Sequence, residues 1–130
     1  MKIRSLENDC RVLMAPMAGI TNLPFRTVVR EFGCDLAFTE MISAMGLVQG
    51  TVKSYRYLDS GAGDRPLGVQ LFGTDPQVMA EAARIVEGHG ADLIDINMGC
   101  PVRKVFNNGA GAALMKSPEK SGELLAAVRG

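Results

Sequence analysis

The chain has 130 residues, enough for one domain, and its 47% hydrophobic and 22% charged content is that of an ordinary globular protein, not a disordered or fibrous one. Fourteen basic residues balance 14 acidic ones, so a net charge of zero gives no compositional support for RNA binding driven by phosphate neutralisation. No apolar run approaches the ~20 residues of a membrane span, Met1-Lys2-Ile3-Arg4-Ser5 has no secretory apolar block, and three cysteines without such a signal point to reduced thiols in a cytoplasmic compartment.

Residues 12–14 form a short apolar strand that stops at Ala15-Pro16-Met17-Ala18-Gly19, where small side chains and a missing amide hydrogen let a flat ligand approach the backbone. Residues 23–32 predict a helix: Pro24 suits its first turn, Phe25, Val28, Val29 and Phe32 recur at helical spacing, and Gly33 closes it. Residues 35–39 read as a second strand, 41–48 as a short helix, and the polar, glycine-containing stretch 49–66 as a loop. Strand three covers residues 67–72. Thr74-Asp75-Pro76 then starts a helix, with Thr74 or Asp75 as its cap. Val78, Met79, Ala82, Ala83, Ile85 and Val86 form its apolar face, and Gly88 and Gly90 end it. His89, between those glycines, reads as a solvated residue at a helix C-terminus. Residues 93–96 make a fourth strand, and Ser117-Pro118-Glu119 opens a last helix through residue 128.

Four successive βα units predict an α/β fold with a parallel sheet and helices outside. No Gly-x-Gly-x-x-Gly follows the first strand, which argues against a Rossmann domain. Asn108-Gly109-Ala110-Gly111 lacks the Lys-Ser/Thr ending of a phosphate loop and reads instead as a turn supporting the segment before it.

That segment, Asp95-Ile96-Asn97-Met98-Gly99-Cys100-Pro101, carries the chemistry. Free cysteines are most often small buried hydrophobes. Cys100, however, follows the end of a strand on a turn stiffened by Pro101 and permitted by Gly99, the place where α/β proteins hold reactive groups. Cys10 and Cys34 read as structural, and the spacing of the three cysteines fits no metal site. Asn97 reads either as a ligand-facing amide or as a turn asparagine capping its own backbone. Arg103 and Lys104 could meet phosphates, although adjacent basic residues more often lie on a solvated loop, and Glu40 reads equally as a wall residue or a helix cap.

Taken in order, Ala15-Pro16-Met17-Ala18-Gly19, Pro24-Phe25-Arg26, Thr39-Glu40-Met41, Gln70-Leu71-Phe72-Gly73, the Asp95-to-Pro101 segment and Asn108-Gly109-Ala110-Gly111-Ala112 resemble the flavin-dependent tRNA-dihydrouridine synthases from about Val12 onward. The resemblance implies a TIM (β/α)8 barrel, typically about 250 residues. This chain would be its first four βα units, lacking the second half-barrel and a helical tRNA-binding domain. It also implies FMN reduced by NADPH, tRNA as substrate, and saturation of a uridine C5–C6 bond. Cys100 would then be the proton donor, because a free thiol is protonated at neutral pH. Pro16, Met17 and Ala18 would line the flavin ring, Gln70 would hydrogen-bond its edge, and Asn97 would hold the uracil. Two other readings compete: an FMN-dependent dihydroorotate or dihydropyrimidine dehydrogenase-like oxidoreductase, and a non-catalytic half-barrel that self-associates through exposed sheet edges.

Overall fold

The computed structural model describes residues 10–130, and the Met1-to-Ser5 stretch lies outside them. In chain order the elements are β1 (Leu13–Met14), α1 (Leu23–Glu31), β2 (Leu36–Phe38), β3 (Ile42–Ser43), α2 (Ala44–Val48) and α3 (Val52–Arg56). They continue with β4 (Leu67–Phe72), α4 (Pro76–Gly88), β5 (Leu93–Ile96), α5 (Arg103–Phe106), a 3-10 turn (Gly111–Lys116) and α6 (Pro118–Arg129). Every strand pairing among the described residues is parallel: β1 with β2, β2 and β3 with β4, and β4 with β5. No helix among the described residues is long and apolar enough to cross a membrane.

The stretch expected as a short helix over 41–48 begins with strand β3, and helix starts only at Ala44, where Ser43 Oγ accepts from the Gly46 N–H at 3.2 Å. Register explains the difference. Phe38 pairs with Gly68 but Ile42 pairs with Leu71, so four steps on one strand match three on the other. β2 and β3 are one strand carrying an extra residue at Thr39-Glu40-Met41, a β-bulge. With that correction the strands lie in sequential order, as in the first four βα units of a barrel. The expected loop at 49–66 contains the one-turn helix α3.

Parallel strands covered on both faces read as near-continuous apolar runs, and Leu67 to Leu71 are all buried, Gln70 being the polar exception. Leu67, Val69 and Leu71 face the helices in a cluster with Ile42, Leu47, Met79, Val86, Leu114 and Leu124. Helix α4 buries Met79, Ala82, Ala83 and Val86, the i, i+3, i+4, i+7 stripe of an amphipathic helix. Its cap is Asp75, whose Oδ1 accepts from the N–H groups of Gln77 and Val78 at 2.8 and 3.0 Å.

Helix α1 turns the other way. Its stripe of Phe25, Val28 and Phe32 faces outward, Phe32 being 87% exposed, and its buried residue is Arg26. The cause is electrostatic. Arg26 donates to Asp64 Oδ2 at 2.8 and 2.9 Å, to the Thr21 carbonyl at 2.8 Å and to the Asp59 carbonyl at 2.7 Å. Arg30 donates to the carbonyls of Cys34, Asp35 and Pro66 beside it. These guanidiniums supply donors to chain ends that an apolar face would leave unsatisfied.

Because Arg26 and Asp64 are each about 1% exposed, deleting one partner strands the other as a buried charge. Asp64→Ala is expected to destabilise the full-length protein by about 3–5 kcal/mol. The denaturant midpoint checks this.

A second expectation concerns Asp35, whose carboxyl is held below the usual carboxylate range by the Val12 and Arg11 backbone N–H groups. A lowered folded pKa adds stability above the unfolded value near about 3.9, and that contribution disappears as pH falls through the folded value. Asp35→Asn therefore flattens the melting-temperature profile below about pH 4 relative to the parent.

Candidate active site

Side chains alternate across a strand, so Gly68 and Gln70 on β4 point away from the helix-facing residues Leu67, Val69 and Leu71. Gln70 pairs in register with Asp95 on β5, and Asn97 follows two residues later on the same side. Three polar side chains thus meet at the C-terminal end of the sheet. Gln70 Nε2 donates to Asp95 Oδ2 at 2.5 Å, and Asn97 Nδ2 donates to Gln70 Oε1 at 2.8 Å. Asn97 Oδ1 accepts from the backbone N–H groups of Gly99 and Cys100 at 3.3 and 3.0 Å. The turn-capping reading of Asn97 holds: its oxygen caps the turn, while its nitrogen joins the amide chain.

Cys100 is half-buried on that turn, outside any helix or strand. The glycine-rich loop supports it, as the sequence suggests. Ala112 N–H donates to the Cys100 carbonyl at 3.0 Å, and Gly111 sits at φ +59° directly against it. A Cβ on Gly111 would lie 2.6 Å from the Cys100 carbonyl oxygen and 3.2 Å from Cys100 Cβ. Only glycine tolerates both that conformation and that approach.

The opposite wall is the turn after β1. Thr21, fully buried, ties it: its Oγ1 accepts from Met17 N–H at 3.1 Å, and its own N–H donates to the Met17 carbonyl at 3.0 Å. The bulge adds a second tie, since Glu40 Oε2 accepts from Gly19 N–H at 2.5 Å. Glu40 is 8% exposed, so this carboxylate holds the turn from beneath. Sequence reasoning left it unassigned because only the extra residue in the strand aims it there.

Pro16, Ala18, Met41, Gln70, Asn97 and Cys100 line one pocket of about 350 Å³, within the range of small-molecule sites. Met17 does not line it: its side chain is 36% exposed, and its backbone is taken up by Thr21. Arg103 and Lys104 are exposed on α5, and among the described residues no Lys or Arg lines the pocket itself. A wider depression of about 530 Å³ near Tyr55 and His89 carries none of these strand-end residues. His89 is exposed, with Nδ1 2.7 Å from the Ile85 carbonyl. Cys34, whose thiol faces the Leu36 carbonyl at 3.3 Å, is buried and structural, and Cys10 is buried as well.

The sequence model of the family described as dihydrouridine synthase matches residues 13–130. A probable tRNA-dihydrouridine synthase of Rhizobium leguminosarum bv. phaseoli is 48% identical over 91% of this chain and 37% of its own length. The tRNA-dihydrouridine synthase B of Xanthomonas axonopodis pv. citri is 48% identical over 91% of this chain and 36% of its own length. A probable tRNA-dihydrouridine synthase of Rhodobacter capsulatus is 46% identical, matching 100% of this chain and 40% of the relative. The chain therefore spans about two fifths of the length of these curated relatives.

Gly111→Ala must displace the Cys100 carbonyl and strain a left-handed residue, at a cost of about 1–2 kcal/mol for the backbone alone. The expected result is a lower melting temperature together with a changed rate of Cys100 alkylation, followed by mass spectrometry of the labelled peptide.

Proposed function

The chain belongs to the dihydrouridine synthase family, and from that premise we propose that the protein reduces specific uridines of tRNA to 5,6-dihydrouridine, with FMN as cofactor and NADPH as the source of hydride. The observation that carries this reading is the convergence of Pro16, Ala18, Gln70, Asn97 and Cys100 on one pocket at the strand ends. Its donor set suits a flat ring with an acceptor edge. Gln70 Nε2 commits one hydrogen to Asp95 and keeps one for a ligand, while Pro16 and Ala18 offer a low wall with no long side chain. With no Lys or Arg lining the pocket, the described residues supply ring contacts and not phosphate contacts.

FMN, when bound, supplies the hydride that the side chains lack. Cys100 Sγ gives the proton to C5 of the uracil, from a turn that keeps it clear of the ring-binding wall. Asn97 orients the base through its amide nitrogen, and Gln70 fixes the cofactor edge. The target base must leave the tRNA stack to reach them, a cost of a few kcal/mol met by contacts in the pocket. Thr21 tied to Met17 and Glu40 tied to Gly19 limit the motion of this wall, and a rigid wall is what holding reacting atoms about 3–3.5 Å apart would require. A cytoplasmic setting accords with reduced thiols and a tRNA substrate.

One observation favours a second behaviour for the 130-residue segment on its own. Val12 and Leu13 at the β1 edge and Phe25, Val28 and Phe32 on α1 leave apolar surface open, which promotes association.

Cys100→Ala in the full-length enzyme is expected to leave bound flavin unchanged, by its visible spectrum, and to lower dihydrouridine formation roughly 10²–10⁴-fold. Parental dihydrouridine levels in tRNA by mass spectrometry would remove Cys100 from this role. Gln70→Ala is expected to lower the flavin-to-protein absorbance ratio after purification, and an unchanged ratio would place the cofactor elsewhere.

A further inference from the structure

We propose that Asp95 is a positioning residue that holds Gln70 in the direction the Gly99 and Cys100 N–H groups impose on Asn97, so that the Asp95–Gln70–Asn97 hydrogen-bond chain leaves Asn97 only N–H groups to offer the pocket and selects a base with a carbonyl edge over one with an amino edge. The selectivity rests on the reading of this pocket as the uracil site, whereas the direction of the chain does not.

The two ends of the chain fix its polarity. At one end the backbone N–H groups of Gly99 and Cys100 can only donate, so Asn97 must turn Oδ1 toward them, and both of its lone-pair directions are filled. Its nitrogen therefore faces Gln70 Oε1 at 2.8 Å and Met41 Sδ at 3.7 Å. At the other end a carboxylate can only accept, so Gln70 must turn Nε2 toward Asp95. Turning Gln70 over would set its oxygen against the Asp95 carboxylate and its nitrogen against the Asn97 nitrogen, two mismatches at once. Asp95 does not line the pocket and acts on it only through Gln70.

The consequence reaches the ligand. Asn97 has no acceptor left, and its second hydrogen rests on a thioether sulfur, a weak partner that a carbonyl oxygen displaces. A uracil carbonyl completes that bond. The exocyclic amino group of cytosine would set N–H against N–H and leave both unpaired, the kind of mismatch by which polar sites reject analogues.

The test is a double-mutant cycle in the full-length protein, comparing the parent, Asn97→Asp, Asp95→Asn and the pair, with melting temperature as the readout. Asn97→Asp flanks the single Gln70 amide with carboxylates on both sides and is expected to lower the melting temperature, whereas Asp95→Asn alone has little effect. Adding Asp95→Asn to Asn97→Asp is expected to recover at least about half of that loss, because the amide then at position 95 can donate to Gln70 Oε1 and the Gln70 amide can turn over. If Asn97→Asp alone does not fold, folding of the pair is the same rescue. Additive losses, or a pair no better than Asn97→Asp, overturn the proposal.

The second arm follows the Asn97 side-chain amide resonance during titration with uridine 5′-monophosphate and cytidine 5′-monophosphate. Uridine monophosphate is expected to shift it at concentrations at least about tenfold lower. An equal response, or none to either, overturns the selectivity. A coupled cycle in a protein that retains no flavin and forms no dihydrouridine upholds the direction of the chain and rejects the proposed function instead.

Discussion

Strand β4 bears hydrogen bonds on both edges and side-chain cover on both faces, and the site is laid out from it. β2 bonds its first half, β3 its second, and β5 runs along the other edge. Asp92 Oδ2 accepts from the Leu67 N–H at 2.7 Å and pins its start. On the inner face a Cβ at position 68 would lie 2.4 Å from the Phe38 ring, so Gly68 is required for the sheet to close over that aromatic. Two residues on, the same face carries Gln70. The inner face is thus filled by Phe38 below and opens only at the strand ends, which is where parallel barrels hold their ligands.

Two kinds of interaction hold the halves of this arrangement. Behind the sheet, apolar side chains of β4, α2, α4 and α6 pack against one another. Around the loops, order comes from named hydrogen bonds: Thr21 and Glu40 on the first turn, Asn97 and Gly111 on the cysteine turn, and Arg26 and Arg30 under α1. Residues on loops can be held rigidly only when their backbone groups find fixed partners, and here each wall of the pocket has its own.

Most of the strands and the cysteine turn were legible in the sequence, because a buried parallel strand is a continuous apolar run and a Gly-Cys-Pro turn has few alternatives. The helix start at Asp75 was legible as one of two choices, since both Thr and Asp can cap; the structure selects the residue whose oxygen reaches two N–H groups. The bulge at Thr39-Glu40-Met41 was not legible, because an extra residue exists only relative to the register of β4. The facing of α1 was misleading for a related reason: its apolar residues recur at helical spacing, but the buried partners that decide its rotation, Asp64 and several carbonyls, lie far along the chain. Met17 looked like wall and proved to lie outside the pocket, since a turn sends alternate side chains away from it. Asp95 offered one unused signal: it stands two residues before Asn97 in a strand that otherwise reads apolar, and period-two alternation puts both on one face.

The burial of the Arg26–Asp64 pair has a consequence for how nucleic-acid binding would be measured. Dissolved ions screen exposed charges beyond about 8 Å at physiological ionic strength, but they reach a pair with side chains 2% and 1% exposed far less. The exposed pairs, Arg84 with Glu81 and Arg65 with Asp92, contribute little to stability in any buffer. Added salt accordingly weakens this buried pair far less than it weakens an exposed one. The logarithm of an RNA association constant falls with the logarithm of salt concentration in proportion to the phosphates neutralised. Screening of the buried Arg26–Asp64 pair would add little to such a slope.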